Sequence, residues 1–183
     1  SATTFQPFLL NDLLDLEELE KVVSVESTAT SSFAITSNNR IFVWGSRSDN
    51  LLTFEPTTLI ITPTEITQNF NLLEDEGISF IETSHRTAFL VTTKGRVFSW
   101  GLNDYNQLGF DSNGATVITP TEVTDLIPFT EDDEEVVEIS AGINSTVILT
   151  NWNNVFVVGF NESSQLFNPD LSVVEEFTLV NDN

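Results

Sequence analysis

The chain repeats itself, and that constrains its fold more than any other feature. Trp44-Gly45, Trp100-Gly101 and Val158-Gly159 fall in one register, 56 and 58 residues apart. Eight residues before each stand Thr36, Thr92 and Thr150, which close the matching runs Ser32–Thr36, Ala88–Thr92 and Thr146–Thr150. Upstream, Val22 and Val25 match Ile78 and Ile81, then Val136 and Ile139, and downstream Leu52, Leu108 and Leu166 match. The hexamers Thr62–Thr67 (TPTEIT) and Thr119–Thr124 (TPTEVT) are nearly identical. A fixed period of this length means one supersecondary unit used several times, each copy burying its apolar faces against the next.

Each unit reads as four short strands. Strand A is Val22–Val25, Ile78–Ile81 and Val136–Ile139; B is the Thr-terminated run; C is Arg40–Trp44, Arg96–Trp100 and Asn154–Val158; D is the TPTE-type segment. Short β-branched and apolar runs between turn residues predict strands rather than helices. Ser37-Asn38-Asn39, Thr93-Lys94-Gly95 and Asn151-Trp152-Asn153 join B to C with hairpin chemistry, offering Asn or Gly for positive φ. Asn11–Lys21 has mixed apolar spacing and is expected to be an acidic loop with at most one helical turn. The fold class that follows is all-β, a partial β-propeller of about three four-stranded blades plus one leftover strand. The units run over about residues 5–61, 62–118 and 119–180 of a single domain. The count opens on a D-like strand at Phe5–Leu10 and ends near Phe177–Val180, which leaves the last segment spare for pairing across chains.

The order of these elements resembles the regulator of chromosome condensation repeat. The resemblance rests best on Ser84-His85-Arg86-Thr87, Arg96–Gly101 and Asn103–Gly109, then on Ala141–Ser145, Val158-Gly159 and Gln165–Phe167, and least on Thr28–Ser31, Trp44-Gly45 and Asn50–Leu52. The His usual in the repeat is replaced by Thr30, Arg86 and Asn144. The resemblance implies a ring of about seven blades, which at this period needs about 400 residues. A three-blade arc leaves open blade ends, so either the sequence is a piece of a larger chain or another chain, or a second copy, associates there. The resemblance also implies scaffolding roles, or guanine-nucleotide exchange on a small GTPase.

Charge narrows the partner. The 183 residues carry 28 acidic and 6 basic side chains, for a net charge of −22. From Val97 to Asn183 no basic residue occurs. Such a surface repels phosphate backbones and anionic membranes, so neither nucleic acid nor membrane is an expected partner, whereas a basic protein would be attracted. Successive antiparallel strands put the D-to-A loops and B-C hairpins on one face. Glu17, Glu18 and Glu20, then Glu74, Asp75 and Glu76, then Glu131, Asp132, Asp133, Glu134 and Glu135 all fall in D-to-A loops. Lys94 and Arg96 flank the second hairpin within reach of Glu74–Glu76, while the third hairpin has no base and carries Trp152. These residues are the candidate partner-binding site, with Trp152 as anchor. The alternative is that the acids are solvated loops serving solubility or high salt and that Trp152 covers a blade edge. Trp44 and Trp100, at strand ends, are expected in the core.

Other chemistry is sparse. There is no cysteine, so no disulfide, thiolate or Cys-ligated metal is available. His85 is the only histidine, which excludes a multi-His metal site and predicts a turn residue. Asp104, Asn106, Asp111 and Asn113 lack the spacing of a calcium loop. Asn144-Ser145-Thr146 and Asn161-Glu162-Ser163 match the glycosylation sequon by composition alone. No apolar run is long enough to span a membrane and no signal peptide is visible. The expectation is a non-enzymatic binding module, without cofactor or metal, inside the cell, that docks a basic protein or completes a larger assembly; a structural subunit whose acidity serves only solubility is the other reading.

Overall fold

A computed structural model describes residues 13–46, 51 and 59–180. Three four-stranded antiparallel sheets form the blades. Blade 1 is β1 (Val22–Ser27), β2 (Ser31–Thr36), β3 (Ile41–Ser46) and β4 (Leu59–Glu65). Blade 2 is β5 (Ile78–Thr83), β6 (Thr87–Thr92), β7 (Val97–Gly101) and β8 (Val117–Glu122). Blade 3 is β9 (Val136–Ala141), β10 (Ser145–Thr150), β11 (Val155–Phe160) and β12 (Val173–Leu179). Strand order follows chain order in every sheet, and residues 13–21 form turns.

The all-β fold of three four-stranded blades is therefore as expected, but the spare strand is not where the sequence count put it. Residues 177–180 are not free for another chain: β12 lies antiparallel to β11, with Phe156 opposite Leu179 and Phe160 opposite Val173. Each sheet thus ends on its own D strand, which closes the third blade. The D-like segment expected at Phe5–Leu10 lies outside the described residues, as does Leu52.

The recurring residues have local physical reasons. In each Trp-Gly or Val-Gly pair the glycine has φ between 109° and 118°, and a Cβ there would sit 2.2–2.4 Å from a carbonyl oxygen of Thr30, Arg86 or Asn144. The register of each C-D pairing shifts at this glycine. The next residue's N–H then donates to that same carbonyl at 2.8 Å, tying the end of strand C to the A-B turn. The TPTE hexamers end in Thr67 and Thr124, whose hydroxyls accept the N–H of Ile41 and Val97 at 2.9 Å and hold strand D to the start of strand C. Short 3-10 turns follow at Thr67–Phe70 and Thr124–Leu126.

Two small apolar clusters lie on the outer faces, Leu14, Ala34 and Phe42 on blade 1 and Val157, Leu166 and Val174 on blade 3, and two larger ones lie between blades. One contains Phe33, Ile41 and Val43 of blade 1 with Leu90, Phe98 and Trp100 of blade 2. The other contains Phe89, Val91 and Val97 of blade 2 with Ile148, Phe156 and Val158 of blade 3. Phe70, from the loop before β5, meets both Phe98 and Trp100 edge-on at 5.5 and 5.6 Å. Trp100 is fully buried; Trp44 is half-buried, packed at the edge of the cluster between blades 1 and 2 and of the Leu14 cluster on the other face of blade 1.

Gly101→Ala should therefore destabilise the chain by about 2–3 kcal/mol, since any Cβ meets the Arg86 carbonyl. Gly114→Ala, at φ 69° but in open space, should cost about 1 kcal/mol or less. Chemical denaturation of the two variants checks the difference; equal losses would contradict the steric account.

Candidate protein-binding site

The site begins with a carboxylate that the sequence placed among surface acids. Glu20, Glu76 and Glu134 are buried, at 6%, 6% and 5% exposure. Each curls back onto its own loop: Glu20 accepts the N–H of Glu17 at 2.8 Å, Glu76 that of Leu73 at 2.7 Å, and Glu134 that of Thr130 at 2.6 Å. Each also faces the threonine that ends strand B. The Thr36 hydroxyl donates to Glu20, and Thr150 Oγ1 donates to Glu134 at 2.6 Å. The residue that opens strand C completes the arrangement. Arg40 Nη1 meets Glu20 at 3.0 Å, Arg96 Nη1 meets Glu76 at 2.9 Å, and Asn154 Nδ2 meets Glu134 at 2.9 Å. One buried carboxylate per blade thereby clamps the D-to-A loop to the B-C hairpin.

In blades 1 and 2 the arginine holds a second carboxylate on strand D. Arg40 reaches Glu65 through Nε and Nη2 at 3.0 Å. Arg96 grips Glu122 with Nε at 3.1 Å and Nη2 at 2.8 Å, a two-pronged pair. Each guanidinium also lies over a phenylalanine of strand C, 4.7 Å from Phe42 and 4.8 Å from Phe98. Blade 3 has lost both ends of this pair together. Asn154 stands for the arginine, and Leu179, opposite Phe156, stands where Glu65 and Glu122 lie opposite Phe42 and Phe98. The buried Glu134 carboxylate is left without a cation and is held by neutral donors alone.

The pKa shifts follow these contacts. Burial alone would raise all three clamp carboxyls, and in each the hydrogen bonds outweigh it. For Glu134 the Thr150 hydroxyl, the Thr130 N–H, Asn154 and the Thr130 hydroxyl hold the carboxyl at about 2. Thr36, the Glu17 N–H and Arg40 lower Glu20; the Leu73 N–H, Thr92 and Arg96 lower Glu76. Glu82, on the innermost strand of blade 2, goes the other way: burial raises it, and Glu26 and Glu138 on the flanking blades add to the rise.

The rest of the acids divide from these three. Glu17, Glu18, Glu74, Asp75, Glu131, Asp132, Asp133 and Glu135 are exposed. Loops and hairpins do share one face, as the strand alternation requires. Asn151 bonds to Asp133 and Glu135, Asn38 bonds to Glu17, and the Lys94 ammonium donates to the Glu74 carbonyl at 2.5 Å. The face is continuous between blades, since Asn39 of blade 1 accepts the Ile78 N–H of blade 2 at 3.1 Å and Glu135 of blade 3 lies against Gly95 of blade 2. Trp152 is 49% exposed at the tip of the third hairpin, and its Nε1 donates to Asp133 at 3.1 Å. The structure thus brings Trp152 together with the densest acidic loop.

Sequence reasoning did not single out the clamp, although a signal was present. Glu20, Glu76 and Glu134 each stand 16 residues before the threonine they face, in the register of the repeat. An acid locked in period with a buried hydroxyl belongs to the scaffold. Among the minor candidates, His85 lies in the A-B turn and is exposed. Asn106 and Asn113 take left-handed backbone, and Asp111 accepts the Asn113 N–H at 2.6 Å, which makes these residues turn formers. The Asn161 amide is buried and donates to the Asn168 and Leu171 carbonyls, so that sequon is committed to the fold. Among the described residues no group of three or more His, Cys, Asp or Glu is placed to hold a metal ion, and no helix is long and apolar enough to cross a membrane.

Comparison with known proteins agrees with this geometry. Residues 94–149 match the model of the Regulator of chromosome condensation (RCC1) repeat. The Ultraviolet-B receptor UVR8 of Arabidopsis thaliana is 32% identical over 101 residues, which is 55% of this chain and 22% of the receptor. Yeast RCC1 (Prp20), solved bound to Kap60, superposes with a TM-score of 0.71 at 18% identity over 88% of this chain and 37% of that one. The Prp20p structure from Saccharomyces cerevisiae, described with its binding properties to Gsp1p and histones, gives 0.69 at 18% identity over 88% and 38%. The chain therefore spans less than half the length of each.

Glu134→Gln should destabilise the fold by about 2–3 kcal/mol at neutral pH, because it removes a carboxylate that accepts several buried donors. Its pKa is lower folded than unfolded, so this stabilisation is complete above about 4.5 and fades as pH falls toward about 2. The melting temperatures of parent and variant should differ at pH 7 and converge near pH 2; a gap unchanged by acid would contradict the clamp.

Proposed function

Because the chain is built of regulator of chromosome condensation repeats, we propose that it is a non-enzymatic protein-binding module that docks a basic partner on the acidic rim of its third blade. The observation that carries this reading is the unbalanced charge of that blade. In blades 1 and 2 each arginine sits among carboxylates, at Glu20 and Glu65 and at Glu76 and Glu122. Blade 3 contains no basic residue, yet it exposes Glu131, Asp132, Asp133 and Glu135 beside Trp152. A half-exposed indole next to uncompensated carboxylates suits a Lys- or Arg-rich segment, with the ring stacking on a cation and the acids steering its approach.

The clamp sharpens the site. Glu20, Glu76 and Glu134 support the loops from beneath, and the eight exposed acids with Trp152 form the binding surface. That the Prp20p work concerns binding to histones, among other partners, is consistent with a basic protein as ligand. An intracellular setting, cytoplasm or nucleus, fits such a partner.

Calorimetry with a Lys/Arg-rich peptide tests the reading. The combined variant Glu131→Gln, Asp132→Asn, Asp133→Asn and Glu135→Gln should weaken binding at least tenfold, and Trp152→Ala about tenfold. Raising salt from about 50 to 300 mM should weaken the parent and leave the neutralised variant nearly unchanged. Equal affinity in all three proteins would defeat the proposal.

A further inference from the structure

Strands A of neighbouring blades approach each other, β1 with β5 and β5 with β9, which puts strands D on the outside of the arc. Nearer the inside, blades 2 and 3 are fastened by the Gln107 carbonyl, which accepts the Thr146 hydroxyl at 2.8 Å. Between blades 1 and 2 the Trp100 indole makes the equivalent bond, to the Leu51 carbonyl at 3.2 Å. On the outside, the ring of Phe177 on β12 lies over Gly109 of blade 2, so close that a Cβ there would meet it at 2.0 Å. Phe110, Leu126 and Pro128 of blade 2 stand around that ring, and the four bound a groove of about 390 Å³. Its apolar lining is open to solvent, since Leu126 is 46% exposed.

The edges of the groove are acidic. Asp111, Asp125, Glu175 and Glu176 line it, all exposed, and among the described residues none of them is in an ion pair. The repeat shows that this chemistry is particular to blades 2 and 3. Asp125 and Leu126 follow the second TPTE hexamer where Gln68 and Asn69 follow the first. Thr121 and Thr178 lie opposite the equivalent residues Ser99 and Val157, so Glu175-Glu176-Phe177 takes the place of Ile118-Thr119-Pro120. Blades 1 and 2 pack with uncharged residues at these positions, so the acids are not what holds a blade pair together. Like charges gathered around exposed apolar surface repel one another until a cation arrives.

We propose that this groove seats an extended Lys/Arg-rich segment, with one apolar side chain on Phe177 and Leu126 and its cations against the four carboxylates. The inference rests on the reading of the chain as a module for a basic partner, and it gives that partner a form. A groove of this volume, at the low end of the about 300–1,000 Å³ of ligand pockets, takes a few side chains rather than a folded surface. The charge steers the segment in, and the apolar contact selects among segments of equal charge. The wall at Asp125–Pro128 belongs to the same loop as Thr130–Glu135, so groove and acidic rim are parts of one continuous stretch of chain.

Fluorescence anisotropy tests this with two labelled Lys/Arg-rich peptides of equal length and charge, one with a single central leucine and the other with serine in its place. The parent should bind the leucine peptide at least about fivefold tighter. Leu126→Ser should bring the two peptides to the same affinity. Glu175→Gln combined with Glu176→Gln, both exposed, should weaken both peptides at least about fivefold at 50 mM salt and much less at about 300 mM. Trp152→Ala and the fourfold neutralised rim should weaken both peptides and keep the preference for leucine. A parent without that preference overturns the groove, and so does a preference that Leu126→Ser leaves intact, or a double glutamine variant that binds as the parent does. If the rim variants alone weaken binding, the acidic-rim reading survives and the groove falls; if the groove variants alone do so, the reverse holds. A dimer of the chain in sedimentation velocity that Leu126→Ser dissolves assigns the groove to a second copy and also overturns the proposal.

Discussion

A blade is a four-stranded sheet with two apolar faces, and neither face can be buried within its own sheet. The whole structure depends on that constraint. Blade 2 illustrates it: Leu90 and Phe98 turn toward blade 1, Phe89 and Val91 turn toward blade 3, and all four are at most 4% exposed. Burying side chains of this size stabilises by roughly 1.5–3 kcal/mol each. The cohesion of the arc is therefore lateral, and each blade is only as stable as its neighbours make it.

Lateral packing works only if the rims hold their shape, and a buried carboxylate does this in every blade. It accepts a backbone N–H of the preceding loop in all three and, in blades 1 and 3, the hydroxyl at the end of strand B, so loop and hairpin cannot separate without stranding a charge. The third blade shows how the motif tolerates drift. Arginine becomes asparagine while the glutamate opposite becomes leucine, which replaces the guanidinium's ion pairs by an amide hydrogen bond to Glu134 and sets an apolar side chain opposite Phe156. A change at one member alone would have left an unpaired charge in a half-buried place. The indole-to-hydroxyl exchange between Trp100 and Thr146 follows the same rule, because the carbonyl that needs a donor finds one on either strand of the pair.

These substitutions also set the electrostatics of the rim. Where the arginines remain, each pairs with two carboxylates in place; the third blade has no such cation beside its exposed acids. The scaffold and the candidate binding surface are thus built from the same loops, with one glutamate of each cluster turned inward and its neighbours turned out. In the third cluster, adjacent residues have opposite roles: Asp133 reaches outward to Trp152, and Glu134 is sealed against Thr150.

The period of the sequence was enough to reveal blades, strand order and the face shared by acidic loops and hairpins, because these follow from local alternation and from the geometry of antiparallel connections. Trp100 in the core and Trp152 at a tip were legible for the same reason: one recurs at a strand end and the other does not. The sequence did not disclose which sheet owns the last strand, since a repeat has no intrinsic first element and only hydrogen-bond register assigns β12 to β11. Nor did it separate Glu134 from Asp133, because adjacent carboxylates in one loop are chemically alike until a fold brings a threonine 16 residues distant against one of them. Partner choice between neighbouring groups is decided by three-dimensional proximity, and that is a property of the packed chain alone.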